Sequence, residues 1–348
     1  MRPRSRRRRG SRTRSSHRSQ GPVHSPETPE TMETTKRLAS NGTNAVWQQV
    51  ARGWRRNRRE WLTFLAFVAP NFILFGVFTY WPILYSFWLS FTRWNFLPAR
   101  PMEAVGLSNY VQLLRDPVFW KVLGNSLTYA TSVVIVAQSP AFFLALLLNE
   151  KIRGQPFFRT MAFTPHITTT AAAALVWVLL LDPSLGPLSH LYKALGVQGP
   201  RWLASSGLAL WAIILVGIWK EIGFASVFFL AGLQNINREY YEAAWVDGAS
   251  RWAILRHITL PLMTPVIFFL MVSGFIQAMK AFDVVAIMSE GGPVYPDSAT
   301  YVYHLYQLAF RNFRAGYASA FAMIFFVVII AVTLYQLRAS ERWVQYGE

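Results

Sequence analysis

Five polar residues stand inside stretches of the sequence that are otherwise apolar: Lys220 and Glu221 in 208–233, and Gln277, Lys280 and Asp283 in 262–288. A charged side chain at a bilayer centre costs about 2.5–3.5 kcal/mol on insertion scales, so it turns to a partner or a wet cavity. Gln277, Lys280 and Asp283 follow i, i+3, i+6 spacing, which in a continuous helix drifts by about 60° and gives one polar stripe. Two chemistries fit these five residues. One is contact with a polar solute on its way through a membrane; the other is internal pairing of Lys280 with Asp283 and of Lys220 with Glu221. Other chemistries find no foothold. The chain has no Cys, which excludes disulfides, thiolate nucleophiles and Cys-ligated metal centres. Its six His are scattered, with no His-Glu-x-x-His and no Gly-x-Ser-x-Gly. His166, just after Pro165, reads as an interfacial or helix-packing residue in preference to a substrate contact. No Gly-Lys pair occurs, so there is no phosphate-cradling loop of the ATPase type. No catalytic residue, metal or cofactor is expected.

The elements that must position these residues follow from composition. Hydrophobic residues make up 53% of 348 and charged residues only 15%, too few to cover a soluble surface. An all-α, polytopic membrane bundle is therefore expected. Six spans emerge: 61–91 with Pro70 and Pro82 placed to kink it, 126–148, 160–181, 208–233, 262–288 and 317–337. The net charge of +17 is concentrated, because residues 1–60 hold 16 of the 34 Lys/Arg and 4 of the 17 Asp/Glu. Residues 1–50 are Arg-, Ser- and Pro-rich, without apolar residues enough to offset the entropy of ordering, and read as a disordered tail; 51–348 reads as one transmembrane domain. The tail lacks the aromatic platforms of specific RNA recognition, so nucleic acid is not an expected partner. Residues 1–31 show no secretory h-region, and a start at Met32 would leave a shorter opening. Arg52, Arg55, Arg56, Arg58 and Arg59 directly precede the first span, and the positive-inside rule places both termini in the cytoplasm.

On the cytoplasmic side by that topology lies 237–261, which reads as two short helices. Asn237 suits an N-cap, Gly248 falls where a left-handed C′ residue belongs, Ser250 can cap the second helix, and Pro261 ends it. Tyr240, Ala243 and Ala244 share one face and Tyr241 and Trp245 another, a surface suited to docking. Glu242-Ala243-Ala244, three residues, Gly248, nine residues, Ile258, one residue and Leu260-Pro261 resemble the EAA loop of binding-protein-dependent ABC import permeases. The resemblance covers roughly 61–342 and narrows to the carbohydrate branch, with maltose, multiple-sugar and glycerol-3-phosphate permeases. It rests further on Tyr80-Trp-Pro-Ile-Leu-Tyr-Ser-Phe-Trp-Leu-Ser-Phe-Thr92, Val105-Gly-Leu-Ser-Asn-Tyr110, Phe157-Phe-Arg-Thr160, Trp219-Lys-Glu-Ile-Gly-Phe224 and Gly291-Gly-Pro293. The family usually has Gly at Glu221, a polar neutral residue near Lys280 and a third glycine at Glu290, and this chain has no long second outer loop.

The resemblance implies a bacterial cell-membrane permease subunit forming half of a translocation path for a sugar, polyol or glycerol phosphate. It further implies a second permease subunit, two ATP-binding subunits and an extracytoplasmic solute-binding protein. In such a family Glu242, Ala243, Ala244, Gly248, Ile258, Leu260 and Pro261 form the ATPase-coupling loop. The rival class is a secondary transporter with interrupted helices that bind solute and coupling ion directly.

Overall fold

The computed structural model describes residues 58–96, 101–150, 153–289 and 294–341. The tail 1–50, Arg52, Arg55, Arg56 and residues 291–293 lie outside the described residues. The chain divides into two units, Met1–Val77 and Phe78–Glu348. In the first, helix α1 (Arg58–Phe75) keeps Pro70 in its interior. A π turn at Gly76–Tyr80 follows, and helix α2 (Trp81–Leu89) begins with Pro82 in its first turn. The widened turn relieves the clash of a proline ring with the carbonyl four residues back, so the interruption falls before Pro82 and not at Pro70.

Two residues each from β1 (Thr92–Arg93) and β2 (Glu103–Ala104) pair antiparallel and lead to α3 (Ser108–Arg115). Here the pattern at 105–110 acquires a physical role. The buried Asn109 amide donates to the carbonyls of Ser90 and Thr92 at 2.8 and 2.9 Å, and the Tyr110 hydroxyl donates to Ser90 Oγ at 2.7 Å. Carbonyls past the end of α2 have no helical partner, and the Asn109 amide satisfies them while Tyr110 holds the Ser90 side chain. Against the same turn lies Gly316 of α15 (Ala315–Ser340), so close that a Cβ there would stand 1.9 Å from the Thr92 carbonyl oxygen.

Helix α4 (Pro117–Asn149) is started by Asp116, whose carboxylate accepts from the Val118 amide at 2.9 Å, with Pro117 at the first helical position. The expected third span is not one helix: α5 (Gln155–Ile167) and α6 (Thr170–Leu181) meet at a bend of 94°. Pro165 removes a backbone donor near the end of α5, and the β-branched run Thr168-Thr169-Thr170 supplies a new N-cap, with Thr169 Oγ1 accepting from Ala172. After α7 (Pro187–Ala194) comes α8 (Ala209–Asn235), unbroken through Lys220 and Glu221. Both residues form helix well, so they interrupt the hydropathy and not the backbone.

The fifth span differs more. Helices α9 (Arg238–Val246) and α10 (Arg251–Ile254) are followed by a π turn, Leu255–Thr259, and by α11 (Leu260–Leu262) and α12 (Thr264–Met279). The helix thus runs past Pro261 instead of stopping before it; the π turn precedes the proline, and the chain bends by 58° afterwards. Helix α12 ends at Met279, and α13 (Asp283–Ser289) starts afresh, so the continuous stripe through Gln277, Lys280 and Asp283 does not exist. At the break the Lys280 and Ala281 amides bond to carbonyls three residues back, the tightening typical of a helix end. Helix α14 (Tyr301–Tyr306) and a π turn lead to α15. Among the described residues four helical stretches are long and apolar enough to cross a membrane, or up to six if each bent pair is one span.

Two apolar clusters hold the second unit together. One joins Phe119, Val122 and Tyr129 of α4 to Ile213 and Val216 of α8, Met279, Val285, Tyr301 and Phe321. The other joins Phe142 and Leu148 to Phe229, Leu233, Met263 and Leu270. Between lipid-embedded helices such contacts act through packing, since moving from lipid to protein brings little hydrophobic gain. Ala130, Ala137, Ala141 and Ala145 are fully buried on α4 and permit that close approach.

Candidate coupling loop and translocation cavity

The loop 237–261 is built as two capped turns. Asn237 Oδ1 accepts from the Glu239 amide at 3.1 Å, and Ser250 Oγ from the Ala253 amide at 3.2 Å. Helix α9 ends in a Schellman motif: the Ala249 amide reaches the Ala244 carbonyl and the Gly248 amide the Trp245 carbonyl, with Gly248 at φ +74°. The face shared on paper by Ala243 and Ala244 is divided in the fold. Ala244 is buried, and Tyr241 bonds to the buried Thr259 hydroxyl at 3.3 Å, so this side holds α9 to its own bundle. Outward stand Ala243, Tyr240, Trp245 (58% exposed), Val246 (87%) and Trp252 (66%). Glu242 is exposed and paired with Arg238 one turn earlier at 2.8 Å. Ile258, Leu260 and Pro261 are half-buried, and Leu255 and Leu260 pack against the cluster of Phe229, Leu233 and Met263. These residues pack the loop against its own bundle; its exposed face lies on α9 and the start of α10.

All five polar residues from the apolar runs meet at one cavity of about 440 Å³. Lys220 and Glu221 come from α8, Gln277 from α12, and Lys280 and Asp283 from the two sides of the helix break; Tyr129, His166 and Phe282 also line it. Internal ion pairing is not what holds them: among the described residues no salt bridge joins Lys280 to Asp283 or Lys220 to Glu221. Lys220 instead donates to the Thr168 carbonyl at 2.6 Å, at the C-cap of α5 where the third span bends. A cation there meets a free carbonyl and the negative end of the helix dipole. Glu221 turns the other way, its Oε1 buried without a hydrogen-bond partner and 3.0 Å from where a Cβ on Gly274 would stand. Gln277, Lys280 and Asp283 are exposed. His166 packs on Phe224 with ring centroids 4.6 Å apart and the rings tilted, and it also borders the cavity. Among the described residues no cluster of three or more His, Cys, Asp or Glu has the geometry to hold a metal.

The family described as "Binding-protein-dependent transport system inner membrane component" matches residues 45–346. The chain is 34% identical over 314 residues to the probable ABC transporter permease protein YesP of Bacillus subtilis, covering 89% of this chain and 98% of that one. It is 32% identical over 290 residues to the sn-glycerol-3-phosphate transport system permease protein UgpA of Yersinia pestis, covering 82% and 96%. Its fold is similar to a chain of a bacterial ABC transporter involved in import of the acidic polysaccharide alginate, with a TM-score of 0.73 and 26% identity over 84% of this chain and 100% of that one. The alginate transporter in complex with its alginate pentasaccharide-bound periplasmic protein matches with a TM-score of 0.70 and 25% identity, over 85% and 99%. With the family match over 45–346 and likeness along most of its length, the chain belongs to the inner membrane permease components of binding-protein-dependent ABC transport systems.

Proposed function

We propose that this permease carries a sugar, a polyol or a glycerol phosphate inward across the bacterial cell membrane, as one half of a path completed by a second permease subunit. Two ATP-binding subunits drive it and an extracytoplasmic binding protein delivers the solute. Both termini and the 237–261 loop face the cytoplasm, a reading supported by the arginines before the first span. ATP binding closes the ATPase pair, the α9–α10 turns carry that motion through Leu255 and Leu260 into the bundle, and the cavity alternates between the two sides. In this reading Glu242, Ala243 and Gly248 serve the docking face, while Ala244, Ile258, Leu260 and Pro261 transmit from behind it.

The observation that carries the proposal is the convergence of Lys220, Glu221, Gln277, Lys280 and Asp283 on one cavity without mutual ion pairs. Exposed amide, ammonium and carboxylate groups at a broken membrane helix offer both donors and acceptors to a polyhydroxylated solute. Gln277→Leu and Asp283→Asn are expected to lower solute transport while ATP turnover stimulated by the binding protein persists. Normal transport in both variants, or loss of assembly with the ATPase, would remove these residues from the path. The solute itself is identified by thermal shifts of the cognate binding protein across sugars, polyols, glycerol phosphates and glycerophosphodiesters.

A further inference from the structure

The break between α12 and α13 puts residues 280–282 in non-helical backbone between two cavity groups, and something must fix that backbone. The segment 294–300 does so from behind. Thr300, 1% exposed, donates its hydroxyl to the Ala281 carbonyl at 2.9 Å. Ala281 lies between Lys280 and Asp283. The segment is itself clamped to α4: the buried Asn125 amide faces the carbonyls of Pro296, Asp297 and Ala299 at 3.0, 2.9 and 3.0 Å. Next to it, Ser126 Oγ accepts from the Tyr301 amide at 2.7 Å, and Lys121 pairs with Asp297 at 3.1 Å. Three positions on two adjacent turns of one helix thus hold a segment more than 170 residues away in sequence. No residue of 294–300 lines the cavity.

We propose that Asn125 and Thr300 are positioning residues for transport, which fix the Lys280–Asp283 break to α4 through the segment 294–300. A loop held only by packing would need apolar residues at these places. Here a buried amide and a buried hydroxyl meet backbone carbonyls, and each group left without its partner would carry a desolvation penalty. The tether therefore transmits displacement: movement of 294–300 relative to α4 moves Ala281, and with it the two charged groups that face the cavity. The inference rests on the cavity being the solute path.

The native chain has no Cys, so a single Gln277→Cys reports on the cavity in the assembled transporter. Its rate of modification by 2-aminoethyl methanethiosulfonate is measured alone and together with Thr300→Val, Thr300→Ser and Asn125→Ala. Thr300→Val keeps the shape and removes the donor. It is expected to change the rate by about three- to ten-fold, as loss of one buried hydrogen bond implies. Asn125→Ala should shift it in the same direction, and Thr300→Ser should restore it. A reporter at Ser250→Cys, in the 237–261 loop and outside the cavity lining, should react alike in every background. If Gln277→Cys is unreactive with Thr300 intact, the cavity reading fails. If it reacts there and Thr300→Val and Asn125→Ala leave the rate unchanged, the tether is refuted. Should Thr300→Val reduce the yield of complex, Ser126→Ala, which removes only the acceptor for the Tyr301 amide, replaces it, and an unchanged rate again refutes the tether.

Discussion

Gly248 allows conformation and surface shape to be separated. Its φ of +74° lies where an L side chain costs about 1–2 kcal/mol, a factor of roughly 5–30 in the population of the native helix end. Among the described residues, and apart from Gly248 and its two chain neighbours, no heavy atom lies within 4 Å of the position a Cβ would take, so for alanine only the backbone term operates inside the permease. Asn tolerates the left-handed region, so Gly248→Asn should stay within about two-fold of the parent. Gly248→Ala should lose about 1 kcal/mol, or about five-fold. Gly248→Leu has the same backbone cost, and a further loss beyond that of alanine would point to a covering surface, which the proposed function assigns to the ATPase subunit. The assay is ATP turnover stimulated by the loaded binding protein in proteoliposomes, alongside the affinity of the permease for the ATPase. If Leu and Ala lose equally, no partner covers Gly248. If Ala matches Gly, the left-handed helix end is not what the loop needs.

Lys220→Met should lower the thermal midpoint of the purified transporter and Lys220→Arg should recover part of it, because the Thr168 carbonyl at the bend loses its donor; a parental midpoint for Met would show that the bend needs no donor. For topology, an impermeant maleimide applied to intact cells should label Ser184→Cys and spare Ser250→Cys, both exposed, and the reverse pattern would invert the orientation. Ser298 would be a poor reporter, being fully buried against Ser289. The Asp297 carboxylate is held below its usual range by hydrogen bonds from Lys121 first and Ser206 second, with burial opposing. A depressed carboxylate stabilises above its ordinary value of 3.8 and loses that contribution as pH falls through the folded value. The thermal midpoint should therefore fall on acidification below about pH 4, and less steeply in Lys121→Gln, an equal slope in both counting against the pair.

Local signals in the sequence carried over well. Asn237, Gly248 and Ser250 take the cap positions their side chains favour, because caps depend on a few neighbouring residues. Apolar runs located the membrane helices for the same reason. The breaks were less legible: a hydropathy window averages over Thr168-Thr169 and over Lys280-Ala281-Phe282, although each contains the residue that ends one helix or begins the next. Periodicity placed Ala243 and Ala244 on one face, while only tertiary contact shows that Ala244 turns inward. The convergence of α8 and α12 on a cavity, and the hold of Asn125 on 296–299, depend on residues far apart in the chain, for which a single sequence has no register.

The contact at Gly316 sets a limit of a different kind. Ordinary contact between a methyl carbon and an oxygen begins about 1.5 Å beyond the 1.9 Å separation that alanine would impose against the Thr92 carbonyl. That oxygen belongs to backbone already fixed by Asn109, so it cannot swing aside as a flexible side chain would. Nineteen of the genetically encoded residues are thus barred from a position with no charge, no titration and no solute to meet. A survey of random substitutions scored only by transport would flag Gly316 as strongly as any cavity residue. It would be reporting the absence of room for one carbon atom, at the place where the last long helix passes the turn that ends α2.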